Sequence, residues 1–268
     1  MTSCNRTTPT YFTLDTISKS LYKNIQVILV DDSTIDPIMI QKLNQFNIHI
    51  ELIQIQNKFW INPCVNYNIG FKHIKGGKII IQNAEVCHIG DAINYVIKSV
   101  ADNEYHVFDV YALQNINCNN ELYSMYVKKL GDHLNLLDFQ SAENLHGTWY
   151  QHSQCDNRCF HFLSSMTRIT FDKIKEFDID YSIGIEYDDN DFIFRIRNNH
   201  INIISITDSV MGIHQWHGGS AAGTHSGKYN NDHLHYCKMR YFDINKSFLK
   251  LTSYDKNEFI EIINEWIG

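Results

Sequence analysis

The stretch KIIIQNAEVCHIGD, Lys78–Asp91, decides how the chain folds. It follows two glycines, starts with three isoleucines and then turns polar. An unbroken apolar run bounded in this way predicts a strand buried on both faces, as in a parallel sheet. Ligands of open α/β sheets bind at the carboxyl ends of the strands. We therefore expect Asn83 and Glu85, which follow the isoleucines, to face a ligand.

Strand and helix patterns alternate around this strand. In chain order they predict a helix at 11–23, a strand at 25–33, a helix after Asp36 and Pro37, a strand at 48–55, a helix at 62–74, the isoleucine strand, a helix at 92–102 and a strand at 105–113. Asp36 is expected to cap its helix with Pro37 at the first helical position, and Asp91 to cap the helix at 92–102. Alternation of this kind predicts an α/β fold with a mostly parallel central sheet flanked by helices.

The second part of the chain is less regular. From about Asn115 to Met166 aromatic and histidine residues dominate, which predicts a functional segment without regular elements. Further elements follow it: helices at 171–177 and 187–197, a strand at 201–206, a His-rich segment and an amphipathic helix at 257–267. Neither repeats nor a linker interrupt the chain, so we expect a single domain over residues 1–268.

The chain opens at MTSCNRT, where a sheet of this type should have a complete apolar strand. We expect either a first strand reduced to a stub or further residues ahead of Met1.

Composition excludes several classes of protein. The net charge is −7 and Lys and Arg do not cluster, which argues against nucleic-acid binding. The longest apolar runs fall short of the roughly 20 residues that span a bilayer. The 7 cysteines include no Cys-x-x-Cys pair, and the sequence shows no signal peptide. We therefore expect reduced thiols in a soluble, cytoplasmic protein.

Polar clusters fall at the predicted strand ends and in loops: Asn5-Arg6, Asp31-Asp32, Asn83/Glu85, Asp188–Asp191 and His214–His217. Each cluster alone has a structural explanation, such as acidic residues in a first helical turn. In this order they resemble the inverting glycosyltransferases of family 2, which have the glycosyltransferase-A fold. The segments TSCNRT, IQVILVDDS, NYNIGF, IIIQNAE, DDNDFIFRIR and HQWH show the resemblance, which extends from residue 2 to about residue 220.

The resemblance implies that residues 1–113 bind a nucleoside-diphosphate sugar, with a UDP-sugar favoured. By match, the nucleotide-binding residues are Thr2, Ser3, Asn5, Arg6, Asp31, Asp32 and Asn83. The family's Asp-x-Asp motif is Asn83-Ala84-Glu85 here, so one acid is replaced. Asn83 can hydrogen-bond a ribose hydroxyl, and Glu85 retains one charged ligand for Mn²⁺ or Mg²⁺. We expect weaker metal binding than at two carboxylates, with His217, or else His214, completing the shell.

The resemblance also implies that residues 114–268 bind the acceptor, a glycan or another hydroxyl compound, and supply the base. Asp189 is the preferred base, Asp188 the second choice, and Asp191 matches the family's third acid. Arg195 and Arg197 are expected to neutralise these acids. The aromatic stretch at 146–162 should line the acceptor side through Trp149, Tyr150 and His152, although Trp149 could equally be core.

Three other interpretations remain at this stage. Replacement of an acid by Asn83 could leave an inactive sugar-nucleotide or glycan-binding module of the same fold. A structural zinc site could form from a set of six residues: His214, His217, His225, His233, His235 and Cys237. A nucleotidyltransferase would need a glycine-rich phosphate loop, and the segment MTSCNRTTPTYF contains no glycine.

Overall fold

The computed structural model describes residues 1–56, 58, 60–129, 132–207, 210–218 and 230–248. The helix expected at 257–267 and His225 of the zinc interpretation lie outside these residues.

The first half of the chain alternates strands and helices. In chain order it contains β1 (Thr2–Ser3), α1 (Thr7–Ser18), β2 (Gln26–Asp31), α2 (Ile40–Leu43), β3 (His49–Gln54), α3 (Cys64–Phe71), β4 (Lys78–Gln82), β5 (Val86–Ile89), α4 (Ala92–Ser99), β6 (Glu104–Phe108) and β7 (Val110–Leu113). The second half contains α5 (Ile116–Lys128), α6 (Leu136–Gln140), β8 (Gly147–Gln151), β9 (Leu163–Thr167), α7 (Arg168–Ile174), a 3-10 turn (Ile179–Tyr181), α8 (Asp188–Asn198), β10 (Asn202–Ile206), β11 (Met211–His214) and α9 (Asp232–Asn245).

These strands form three sheets. The first is parallel with the order β1-β2-β3, and β1 is a two-residue strand, which agrees with the expected stub. The second has the order β10-β6-β9-β4, in which β9 runs antiparallel to both of its neighbours. The third has the order β5-β11-β7-β8. The isoleucines of β4 lie in the second sheet, and the residues after them enter the third.

Several predicted elements are confirmed. Asp91 caps α4 by accepting a hydrogen bond from the Asn94 amide, and α8 occupies the predicted acidic segment. The strands β2, β3, β4 and β10 lie where the apolar patterns place them. None of the helices in the described part of the chain is long and apolar enough to cross a bilayer.

A helix does follow Asp36 and Pro37, but its expected start and cap are wrong, because α2 begins only at Ile40. The amides of residues 34–36 donate to the Asn5 side chain at 2.9–3.1 Å. The Ile38 amide donates to Asp31 at 2.8 Å. These bonds fold residues 34–38 back against the end of β2, so the first helical turn cannot form there.

The strand expected at 105–113 is divided at Asp109 into β6 and β7, which belong to different sheets. The Asp109 amide donates to the Ile206 carbonyl at 3.2 Å, and its carbonyl accepts from Gly212 at 2.8 Å. Its buried carboxylate accepts from the Ser153 amide at 3.1 Å. Tertiary bonds to three segments therefore end one strand and start the next.

The irregular segment expected at 115–166 is also wrong, since it contains α5, α6, β8 and most of β9. Asn115 caps α5 by accepting from the Cys118 amide at 3.1 Å. The buried face of α5 is narrow and includes Cys118, Leu122 and Tyr126. A stripe of this kind is easily missed in a polar sequence.

Candidate active site

Glu85 is the centre of the site. It lies in the turn between β4 and β5 and is only 1% exposed. Its Oε1 atom forms an ion pair with Arg6 and lies 3.2 Å from Nε2 of His214 and 3.8 Å from Nε2 of His217. Its Oε2 atom is buried and has no hydrogen-bond partner among the described residues. Antiparallel pairing of β5 with β11 places His214 opposite Val86, next to Glu85.

The charges in this cluster suit a divalent cation. Burial would raise the pKa of Glu85, but Arg6, His214 and His217 together lower it to about 2. Burial, followed by the charge of Arg6, lowers the pKa of His217 to about 4. At neutral pH the site therefore presents a carboxylate and a neutral imidazole, the forms that bind metal ions. The unpartnered Oε2 atom and the two imidazoles fit such an ion, and imidazole favours Mn²⁺ over Mg²⁺.

The residues predicted to bind the nucleotide fall into two groups. The side-chain oxygens of Asn5 and Asp31 accept hydrogen bonds from the backbone of the loop after β2, as described above. Asp31 also accepts from the Ser33 hydroxyl at 2.5 Å. The Ser3 hydroxyl pairs with the Thr10 hydroxyl at 3.2 Å. Thr2 lies at the end of β1 beside Tyr67. These contacts shape the loops around the site.

Asp32 and Asn83 form the second group, because their side chains bind other side chains and not the loop backbone. One oxygen of Asp32 is bound by Lys58 and by the Asn66 amide at 2.8 Å. The other oxygen of Asp32 is buried without a hydrogen-bond partner in the described chain. Cys4 lies nearby, and burial, followed by the charge of Asp32, raises the pKa of its thiol. Asn83 accepts from the Tyr67 hydroxyl at 3.1 Å.

The first turn of α8 supplies the acidic residues. Asp188 is buried and accepts from the Asn62 amide at 2.9 Å. Burial and the charge of Asp189 raise the pKa of Asp188 to about 6. Asp191 is also buried but pairs with Arg195 at 2.7 Å, and Arg195 in turn binds the carbonyl of Ile174. Asp191 therefore orients Arg195, which anchors α8 to the end of α7.

Asp189 is the accessible member of the acidic group, with 24% of its side chain exposed. It forms an ion pair with His161, which is buried. Burial lowers the pKa of His161, but Asp189 and Asp188 outweigh it, so the net shift is upward. The His161 ring packs against Tyr67 at 4.8 Å and Phe177 at 4.7 Å between centroids. His161 is therefore held behind the carboxylate of Asp189.

Tyr150 connects the two charged groups. Its ring stacks on Phe162 at 4.0 Å and lies 4.8 Å from the His214 ring. Burial, then Asp189, then Glu85 raise the pKa of Tyr150 to about 12. Both carboxylates thus act on one phenol, so the Glu85 cluster and the acidic pair border the same region. A register shift between β7 and β8 falls at Tyr150, a type of irregularity often found beside active sites.

The other two predicted acceptor residues point elsewhere. Trp149 packs against Tyr111 at 5.1 Å and belongs to the cluster formed by α5 and β11. The ring of His152 packs against Trp149 at 4.4 Å between centroids, and His152 lies 3.7 Å from Asp109. The predicted zinc set is not gathered in the described chain either. His235 bonds the Tyr181 hydroxyl, and the three metal-ligating residues that do meet there are Glu85, His214 and His217.

Sequence reasoning missed several residues that complete the site. They are Lys58, Asn62, Asn66, Tyr67, His161 and Gln215, whose amide holds the Glu85 carbonyl at 3.0 Å. Some of these residues had a usable signal: His161 lies in the aromatic stretch assigned to the acceptor side, and the segments NYNIGF and HQWH contain Asn66, Tyr67 and Gln215.

The arrangement of strands and helices is that of the glycosyltransferase-A fold. The chain belongs to glycosyl transferase family 2, whose model matches residues 1–198. Family membership supports a transferase that acts on sugars. No curated protein matches the sequence significantly.

Solved structures confirm the fold. The mannosyltransferase PcManGT from Pyrobaculum calidifontis, in complex with GDP-Man and Mn²⁺, is 13% identical with a TM-score of 0.51, over 99% of this chain and 70% of that one. TarS residues 1–349 from S. aureus, in complex with UDP-GlcNAc, is 13% identical with a TM-score of 0.58, over 99% and 70%.

Proposed function

We propose that the protein transfers a glycosyl group from a nucleoside-diphosphate sugar to an acceptor hydroxyl, with inversion and with the help of a divalent cation. The observation that carries this proposal is the Glu85–His214–His217 cluster around a buried carboxylate, which borders Tyr150 together with Asp189 of α8. A single displacement at an anomeric carbon needs a cation that stabilises the leaving diphosphate and a base that accepts the proton of the attacking hydroxyl, and both must border the same substrate.

Asp32 is proposed to select the nucleobase. Its unpartnered oxygen is a hydrogen-bond acceptor, whereas its other oxygen is already bound by Lys58 and Asn66. A buried carboxylate acceptor favours a base that presents an N–H group, and uracil, thymine and guanine have one on their pairing edge. Cytosine presents an acceptor there and would leave two acceptors facing each other. A UDP-sugar remains the favoured donor.

Glu85, His214 and His217 are proposed to hold the cation, with Mn²⁺ favoured. When bound, such an ion stabilises the negative charge of the leaving diphosphate. Arg6 contacts the same carboxylate and is partly exposed, so its guanidinium is placed to bind a phosphate oxygen as well. Asn83, held by Tyr67, is proposed to bind a ribose hydroxyl.

Asp189 is proposed as the base, with Asp188 as its buried neighbour. Asp189 accepts the proton of the acceptor hydroxyl as that oxygen attacks the anomeric carbon. The bond between this carbon and the diphosphate breaks on the opposite face, so one displacement inverts the configuration. Tyr150 is proposed to line the acceptor position. Trp149 and His152 are proposed to support it through packing.

Thermal shifts test the donor site. UDP, GDP, dTDP and CMP, with their sugars, are each added with and without Mn²⁺. A ligand at about 100 times its dissociation constant stabilises the folded state by about 2.7 kcal/mol, which is about 5–10 °C for a chain of this size. We expect that shift for UDP or GDP with Mn²⁺, and none for CMP.

Glu85→Gln should remove the part of the shift that depends on Mn²⁺, while the exposed Glu143→Gln serves as a matched control. A shift of equal size in Glu85→Gln would remove this residue from the cation site. If the protein binds nucleotides but does not cleave any nucleotide sugar, with or without acceptors, it is the inactive binding module instead.

A further inference from the structure

The turn that leads into α8 contains two strained residues. Glu186 and Tyr187 both have a left-handed backbone, with φ of 66° and 68°. Residues other than glycine rarely adopt this conformation, because their Cβ atom comes too close to the following carbonyl oxygen. Such residues persist only where the surrounding structure holds them. The turn lies directly before Asp188 and Asp189, so its conformation sets where both carboxylates enter the helix.

Asn231, the residue before α9, holds this turn at three points. It is fully buried. Its side-chain amide donates to the carbonyls of Tyr181 and Glu186, each at 3.0 Å. Its backbone amide donates to the Ile185 carbonyl at 3.1 Å. These three hydrogen bonds all end on carbonyls in or beside the turn, so Asn231 fixes the backbone that precedes the acidic pair.

Further contacts fix α9 against the same segment. The ammonium group of Lys238 is buried and lies 2.7 Å from a carboxylate oxygen of Asp178 and 2.6 Å from one of Asp180. The His235 ring stacks on the ring of Tyr187 at 5.2 Å between centroids. Both contacts join the first turns of α9 to the chain that precedes α8. The position of Asn231 is therefore set by the helix that follows it.

We propose that Asn231 is a positioning residue for glycosyl transfer, which holds the strained turn at Glu186 and Tyr187 and thereby places Asp188 and Asp189 at the acceptor. This inference rests on the proposed role of Asp189 as the base. Without the hydrogen bonds from Asn231, the turn can relax towards a right-handed or extended backbone. Rotation there would move the first turn of α8, because the helix starts at the next residue. Asn231 itself is buried and acts only through the acids.

Glu186→Gly separates this role from simple packing of α9. Glycine adopts a left-handed backbone without steric cost, whereas other residues adopt it less often by a factor of about 5–30. The Glu186 side chain is exposed and accepts from the Asn230 amide at 3.1 Å. The substitution therefore lowers the strain of the turn without changing the core. If Asn231 only packs α9 against its neighbours, lower strain at the turn cannot replace it.

The test compares wild type, Asn231→Ala, Glu186→Gly and the double variant in the full chain. Release of nucleoside diphosphate is measured with the nucleotide sugar that the wild type cleaves. We expect Asn231→Ala to lower turnover by about 10–100-fold, while the half-saturating donor concentration stays constant. Glu186→Gly should leave wild-type turnover nearly unchanged and raise that of Asn231→Ala by about fivefold or more. Asn245→Ala, at the exposed end of α9, is the matched control and should retain full activity.

A second measurement needs no turnover. The carboxyl carbon of Asp188 is followed by NMR as a function of pH, because burial and Asp189 raise its pKa to about 6. In Asn231→Ala the midpoint should fall by about one unit or more towards the ordinary range of aspartate, and Glu186→Gly should reverse this fall. The groups that face this carboxylate are Asp189, Asn62 and His161.

The two measurements separate the failure of this inference from the failure of the proposed function. If the wild type cleaves no nucleotide sugar, the transferase proposal fails, and the titration of Asp188 alone decides the role of Asn231. An unchanged titration in Asn231→Ala would overturn that role. A loss of turnover or of folding that Glu186→Gly does not reverse would also overturn it. If Asn231→Ala does not fold, a folded and active double variant supports the role of Asn231.

Discussion

Two neighbouring carboxylates of α8 have different surroundings. Asp188 is buried against Asn62, while Asp189 is accessible and has His161 behind it. Paired acids whose environments separate their protonation behaviour are a common device of acid–base catalysis. The accessible carboxylate of Asp189 can receive a proton from an acceptor hydroxyl. The buried carboxylate of Asp188 can act on its neighbour only through its charge. Asp189 is therefore the residue whose loss should affect chemistry alone.

Asp189→Asn should abolish glycosyl transfer without weakening the binding of the donor nucleotide. A general base contributes about 10²–10⁴-fold to a rate, so we expect turnover to fall by that factor while the nucleotide-induced thermal shift stays within about 1 °C of wild type. Turnover of a nucleotide sugar by release of the nucleoside diphosphate is the measurement. Asn190→Ala, on the exposed side of the same turn, is the matched control and should retain full activity. Equal loss of binding and turnover would show that Asp189 belongs to the donor site.

His161 should act through Asp189 as a positioning residue. Its loss removes the ion-pair partner of Asp189. The pKa of His161 is raised, because Asp189 and Asp188 outweigh burial, so the wild-type rate should change with pH as His161 loses its proton above the ordinary range of a histidine. In His161→Gln we expect turnover to fall and this part of the pH dependence to be absent. The substrate concentration for half-maximal rate should stay nearly constant.

His106→Gln is the control for burying glutamine in place of histidine. His106 is also buried and pairs with Glu104 at 2.8 Å, but it lies on β6 outside the proposed site. A uniform fall in rate at every pH, shared by both variants, would indicate a packing role for His161 only.

At the scale of elements, α8 explains why the acids gather. Tyr187 precedes the helix in a left-handed conformation, with φ of 68°, and turns the chain so that Asp188 and Asp189 enter the first turn. The positive end of the helix dipole favours carboxylates there. Asp191 pairs with Arg195 within the helix, and Arg195 donates to the carbonyls of Ile174 and Glu176, which fixes α8 to the end of α7. Asp189 thus acts on Tyr150, Asp188 is buried beside it, and Asp191 serves for anchoring.

The elements show which parts of a fold can be read from sequence. The strands β2 and β4 and the helix α8 were predictable, because apolar runs and an acidic first turn are local patterns. The division of 105–113 at Asp109 was not, since it depends on bonds to Ile206, Gly212 and Ser153, which lie far along the chain. The helix α5 was missed because its narrow apolar stripe lies among polar residues.

The site divides in the same way. Glu85 and His214 could be found because strand ends carry ligand-binding residues. Their partners could not, because no local pattern links Asn62 to Asp188 or His161 to Asp189. Neighbouring polar residues also differ in what they already bind. Asn5, after β1, and Asp31, at the end of β2, accept from backbone amides, whereas one oxygen of Asp32 has no hydrogen-bond partner among the described residues. Sequence locates the charged groups, but only packing tells which of them are already satisfied.

At the scale of the whole molecule, the proposed site lowers the stability of the fold. Buried oxygens of Asp32 and Glu85 have no hydrogen-bond partner among the described residues, and Asp188 is a buried acid beside a second acid. Unsatisfied buried acceptors and desolvated charges disfavour folding. A purely structural cluster would gain nothing from them, whereas a site that binds a cation, a base and a hydroxyl uses each one. Removing the charge of Asp188, whose pKa is raised, should therefore stabilise the protein.

Asp188→Asn tests this cost through its pH dependence. The pKa of Asp188 rises from 3.8 to about 6 in the folded chain, so above pH 6 the folded state holds a charge that the unfolded state carries more easily. Each pKa unit corresponds to about 1.4 kcal/mol, and we expect the variant to gain about 1–3 kcal/mol in the free energy of unfolding at roughly pH 8. Asn62 can still donate to the new amide oxygen. As pH falls through 6 towards 4, wild-type Asp188 takes up a proton in the folded state, and the gain should disappear.

Urea unfolding of both proteins at the two ends of this range measures the difference. The exposed Asp243→Asn should show no such gain, and a gain for Asp188→Asn that persists at the acid end would mean that packing, not charge, sets its stability.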